Sequence, residues 1–170
     1  MEKNLLKSYF NYFVIAILSV VLYSCSTQKD KFLNRSYHKA TSKFNGYFNG
    51  KVSLKEAITK LERTYQEDFN NLLPTTILGD QKQAQKIYPQ LNRTIEKASL
   101  VIERHSMEIK RKEKNKWIDD SYFLIGKALF YKQEYSEALE MFAFISREYD
   151  GYITDLSALW STRIQVELGN

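Results

Sequence analysis

Three observations predict an all-α protein made of helical hairpin repeats, an α-solenoid of about six helices that follow a cleaved signal segment. Glycine and proline together supply only eight of 170 residues, too few for the many tight turns of a β-protein. Beyond residue 35 the apolar side chains recur at intervals of three and four, the period of a helix with one buried face. Residues 119 to 152 interleave small and large apolar positions as two closely crossing helices require. The composition, 44% hydrophobic, 14% aromatic and 26% charged, is that of a globular chain and excludes the disordered and disulfide-rich classes. A formal charge of +5 names no partner by itself.

Residues 1 to 24 read as an export signal. Lys3 and Lys7 make a basic start, and an uncharged run from Phe13 to Tyr23 follows. That run is shorter than the roughly 20 apolar residues a transmembrane helix needs. It ends Leu22-Tyr23-Ser24-Cys25, which resembles the lipobox of bacterial lipoproteins: an aliphatic residue three before the cysteine and a small one just before it. The resemblance implies cleavage after Ser24 and a lipid on the Cys25 sulfur, with no other cofactor. Several acyl chains anchor firmly because each buried methylene contributes about 0.8 kcal/mol. Ser26 stands where an Asp would resemble an inner-membrane retention signal, and residues 26 to 31 lack an acidic export cluster. Both features point to the periplasmic face of the outer membrane. The single cysteine excludes an internal disulfide and a multi-cysteine zinc site.

Residues 25 to 35 are expected to form a polar tether, and residues 36 to 110 a helical amino-terminal region. Its first helix is predicted over Ser36 to Asn49, stopped at Asn49-Gly50. Ser53 reads as the N-cap of the next, with Glu56 completing a capping box and Leu54, Ile58, Leu61 and Tyr65 on one face. A short segment, Asp80 to Tyr88, is broken by Pro89. A clean amphipathic stripe, Leu91, Ile95, Ala98, Ile102, His105 and Ile109, predicts a helix over Gln90 to Lys110. The basic run Lys110 to Lys116 reads as a solvated connector, and no strand pattern competes.

From 117 to 170 the pattern sharpens. Tyr122, Ile125, Gly126 and Leu129, followed by Ala138 and Phe142, reproduce the spacing of the tetratricopeptide repeat over 119–152. Gly126 and Ala138 are small where the two helices cross, and Tyr122, Ile125, Leu129, Phe142 and Ile145 fill the space around the crossing. Lys132 to Tyr135 makes the turn. A degenerate upstream copy is suggested by Phe44, Phe48, Ala57 and Leu61, with Asn45 at the glycine position and Thr41 at the Trp position. Ile153 to Leu168 reads as the first helix of an incomplete next repeat, with Trp160 where the register expects glycine. An exposed apolar face at Leu156, Leu159 and Trp160 is the expected consequence.

The lipobox, Asn34-Arg35-Ser36-Tyr37-His38, Phe44-Asn45-Gly46-Tyr47-Phe48-Asn49-Gly50, Asp68-Phe69, Leu72-Leu73-Pro74, the helix from Lys97-Ala98 to His105-Ser106, and Trp117-Ile118-Asp119-Asp120-Ser121-Tyr122 occur in that order. Together they resemble the amino-terminal part of the PorW/SprE lipoproteins of the type IX secretion system, which also supports gliding. The resemblance implies a lipid-anchored periplasmic scaffold whose partners are protein components of a secretion machine. It implies neither catalysis, nor nucleic acid, nor a small-molecule substrate. Two other binding classes stay open: a glycan-uptake lipoprotein resembling SusD, and a general outer-membrane assembly lipoprotein.

The residues themselves offer little chemistry. His38 and His105 have no carboxylate or cysteine at ligand spacing, so no metal site is expected, and His105 reads as a packed side chain on its helix stripe. Asp119-Asp120 are neighbours on different helix faces and are explained as helix N-terminal charge. No catalytic residue is expected, and phosphate loops and nucleophile elbows are missing from the sequence. The candidate partner-binding surface is the first helix of the repeat: Asp120, Phe123, Lys127, Phe130 and Tyr131.

Overall fold

Helices succeed one another along the chain in the computed structural model, which describes residues 11–15, 26–70, 73–74 and 76–169. Beyond a helical stretch at 11–15, they are α1 (Phe32–Thr41), a π-helical segment (Ser42–Tyr47), α2 (Phe48–Thr64), α3 (Gln81–Gln85), α4 (Tyr88–His105), α5 (Trp117–Tyr131), α6 (Tyr135–Glu148) and α7 (Tyr152–Glu167). The protein is all-α, with helical hairpins packed side by side. The pairs α2–α4, α4–α5, α5–α6 and α6–α7 form the main contacts, and α5 also touches both α2 and α7. First helices α2, α5 and α7 thus lie along one side, and second helices α4 and α6 along the other.

The α5–α6 hairpin follows its sequence pattern closely. A Cβ on Gly126 would sit 2.7 Å from the Phe142 ring, so only glycine admits that ring. Ala138, Phe142 and Ile145 are fully buried, and Tyr122 stacks on Phe144 at 4.8 Å. Gln133 takes a left-handed φ of 63° in the turn, and Glu134 N–H closes back on Leu129 O. The hairpin is tied to its neighbours by Tyr88 Oη, which donates to Lys132 O at 2.9 Å, and by Gln133 Nε2, which donates to Gly79 O.

The amino-terminal region departs from its expected boundaries. The chain runs helically without a break from Phe32 through the π-helical segment to Thr64, so Asn49-Gly50 stops nothing. A glycine inside a helix costs about 1 kcal/mol relative to alanine, and here that cost admits α4. A Cβ on Gly46 would collide with Val101 Cγ2, and one on Gly50 would lie 3.0 Å from Leu124 Cδ2 and 3.4 Å from Thr94 O. Ser42, Gly50, Ser53 and Ala57 are buried along the same contact. Ser53 is therefore no N-cap: its hydroxyl donates to Gln90 O of α4 at 2.9 Å, and no capping box with Glu56 forms. The expected degenerate repeat at Phe44, Phe48, Ala57 and Leu61 falls on this single helix, with no turn inside it to make a hairpin. Ala57 and Leu61 are core residues, whereas Phe44 and Phe48 are exposed.

Three further boundaries move. The tether is shorter than expected, since α1 begins at Phe32 and Asn34 Nδ2 already donates to Ser26 O. Pro89 starts α4 rather than breaking a helix, because its fixed φ and missing N–H suit the first turn. The capping box lies at α3 instead, where Asp80 and Gln83 satisfy each other's backbone N–H groups. Finally, α4 ends at His105, and Glu108–Ile109 pairs antiparallel with Lys112–Glu113 in a minimal hairpin within the basic connector. Lys110 and Arg111 both adopt positive φ at its tip, the geometry of a two-residue hairpin turn. Glu113 holds the hairpin's base by accepting from Met107 N, Asn115 N and the Ser106 hydroxyl.

Candidate partner-binding groove

α2 and α5 diverge enough to leave a groove between them, and helical spacing decides what lines it. Lys51, Leu54, Lys55, Ile58, Thr59 and Glu62 come from α2, and Asp120, Phe123, Leu124 and Lys127 from α5, with Tyr47 at one end. Three of the five residues expected on the partner surface thus come together. The other two do not reach it: Phe130 is 0% exposed and Tyr131 8%. They continue the same helical stripe as Phe123 and Lys127, but Trp160 of α7 roofs its carboxyl-terminal end. Phe130 meets the Trp160 ring edge-on at 5.1 Å, with Phe123, Tyr131 and Phe142 around it. Trp160, expected to be exposed, is buried for that reason. Of the apolar face expected with it, Leu159 is exposed and Leu156 packs partly against the core.

The groove is electrically uneven. Lys127 Nζ and the Arg163 guanidinium lie over Trp160 at 4.9 and 4.7 Å. Burial depresses the Lys127 ammonium below its ordinary value, and Lys51 and Arg163 push it the same way. Among the described residues no carboxylate forms an ion pair with Lys127. At the other end burial raises the Asp120 carboxyl to about 6, with Asp119 adding to the rise and Lys116 and Lys51 opposing it. Burial, with the two aspartates behind it, likewise pushes the Tyr47 phenol up to about 12. Burial thus shifts both groups, the Asp120 carboxyl and the Lys127 ammonium, towards their neutral forms.

Sequence reasoning missed Tyr47 and Lys51, because the apparent stop at Asn49-Gly50 hid the continuity of their helix with the groove wall. Trp117 does not line the groove, but its ring packs on Tyr47 with centroids 5.0 Å apart. The histidines behave as packed side chains and also meet: His38 Nδ1 and His105 Nδ1 are 2.9 Å apart, joining α1 to α4. Among the described residues no three His, Cys, Asp or Glu side chains converge as metal ligands, and no helix is long and apolar enough to cross a membrane. Cys25, the expected lipid attachment residue, lies outside the described residues. Neither protein-family models nor curated proteins gave a match to this chain.

Proposed function

We propose that this protein is a non-enzymatic scaffold, held by a lipid on Cys25 at the periplasmic face of the outer membrane. It binds protein components of a secretion machine, of the type IX kind that the sequence resembles. The observation that carries the binding role is the groove between α2 and α5, where half-buried Phe123 lies beside a partly desolvated Lys127 that forms no ion pair among the described residues. Apolar surface contributes association energy, and a desolvated cation selects among partners by charge. The anchor rests on the Leu22-Tyr23-Ser24-Cys25 spacing and its basic, apolar leader. A lipid at one end and a helical binding surface beyond it make a device for holding partners near a membrane.

The test is mild crosslinking of the membrane-bound protein in native cells, with the captured partners identified by mass spectrometry. Recovery of type IX ring or translocon components, lost in Phe123→Ala/Lys127→Glu, is the expected result. Recovery of a barrel transporter with bound glycan, or of barrel-assembly proteins, overturns the secretion reading. Membrane attachment is tested separately, since Cys25→Ser should remove the protein from the outer-membrane fraction.

A further inference from the structure

The helix from Phe32 to Thr64 buries one face and leaves another unexplained. Leu33, Tyr37, Ala40, Phe44, Phe48 and Val52, spaced by three or four residues, are all exposed. Phe44 is 69% and Phe48 56% exposed, a large unused apolar area for a helix that already has a packed side. Trp117 borders the same patch, and it lines one shallow depression together with Lys43, Phe44, Phe48 and Lys51. Lys43 Nζ lies 4.8 Å from the Phe44 ring and Lys116 Nζ 5.2 Å from Trp117.

The charge on this stretch is one-sided. From residue 31 to 55 the sequence holds Lys31, Arg35, Lys39, Lys43, Lys51 and Lys55 and no Asp or Glu. Arg35 is paired with Asp30 at 3.4 Å, but among the described residues the five lysines form no ion pair. Exposed aromatics flanked by lysines fit the boundary of an anionic bilayer, where rings enter the headgroup layer and long lysine stems keep the ammonium at the phosphates. Position agrees with this, because Phe32 comes seven residues after Cys25, and seven residues span at most about 25 Å. We infer that the exposed Leu33–Phe48 stripe with its flanking lysines lies against an anionic phospholipid surface, fixing the orientation of the protein on the membrane. For the identity of that membrane the inference rests on the lipid-anchored reading.

The full-length protein, purified from membranes, is reconstituted into vesicles of phosphatidylethanolamine and phosphatidylglycerol whose acyl chains are brominated. Tryptophan emission then reports contact, because Trp117 is at the patch and Trp160 is buried. The expected result is quenching of one part of the emission. It should fall in phosphatidylcholine vesicles and disappear in Phe44→Ser/Phe48→Ser with unchanged circular dichroism. Binding of added protein to anionic vesicles should weaken roughly fivefold for Lys43→Gln and again for Lys116→Gln. Absence of quenching, or quenching indifferent to both lipid charge and the two phenylalanines, overturns the inference. The anchor fails on different evidence: a membrane-purified protein whose Cys25 carries no acyl chain by mass spectrometry overturns the lipid reading and leaves the quenching result standing.

Discussion

The two halves of this protein join their helices by opposite means. In α5, α6 and α7, large rings fill the space between helices: Phe142 enters the gap left by Gly126, and Trp160 gathers Phe123, Phe130 and Tyr131. Where the long amino-terminal helix meets α4, small residues let the backbones approach, and polar groups bolt them together. Thr94 Oγ1 donates to Gly50 O and Ser53 Oγ to Gln90 O, while Asn115 Nδ2 reaches both Ser42 Oγ and His105 O. The α5–α7 half depends on volume and the amino-terminal half on closeness and on the satisfaction of buried polar groups. The two should therefore fail under different perturbations.

The largest effect belongs to the ring-filled half. Phe142→Ala should cost about 3–5 kcal/mol, because a fully buried ring leaves a cavity between α5 and α7; chemical denaturation measures the loss. Gly46→Ala should cost about 1–3 kcal/mol through its collision with Val101. Adding Val101→Ala should return part of that loss, and a strictly additive double mutant would refute the close crossing.

Acid should act on the polar half. Burial lowers both His38 and His105 below their ordinary value of 6.5, and the charge of His38 adds to the effect at His105. The native state then binds fewer protons than the unfolded chain as pH falls from about 6.5 towards the lowered values. Stability contributed by the neutral pair is complete above that window and is lost below it. Unfolding followed at pH 7.5 and pH 5 should show this loss, and His38→Gln should reduce the difference.

Asp120 gives the smallest effect, with the opposite sign. Its carboxyl is raised from 3.8 to about 6, so the native state holds its proton more tightly, and its contribution fades as pH rises through that interval. Asp120→Asn should raise stability slightly at pH 7.5 and leave it nearly unchanged at pH 4, measured by the same unfolding experiment.

How legible each half was follows from the same contrast. The α5–α6 hairpin could be read from spacing because Gly126, Ala138 and Phe142 carry volume information that sequence displays directly. Gly46 and Gly50 carry their information in what approaches them, and seen alone they look like a stop signal. In the groove, Asp120, Phe123 and Lys127 were legible from the helical period. Phe130 and Tyr131 share that period, and only the arrival of Trp160 from α7 separates them from the open surface. The hairpin at Glu108–Glu113 escaped notice because each strand has two residues and its tip is Lys-Arg, without the glycine or asparagine that marks such turns.

By itself, then, the sequence determined the helical class, the repeat-like hairpin at 119–152 and the one-sided charge of residues 31 to 55. These depend on local period, side-chain volume and composition, which act over a few residues. Tertiary structure decided that one helix continues through Gly46 and Gly50, that two histidines meet across 67 residues, and which half of the α5 stripe stays open. Those outcomes depend on burial against distant segments. A glycine's local preference, worth about 1 kcal/mol, yields where close approach lets several buried contacts form at once.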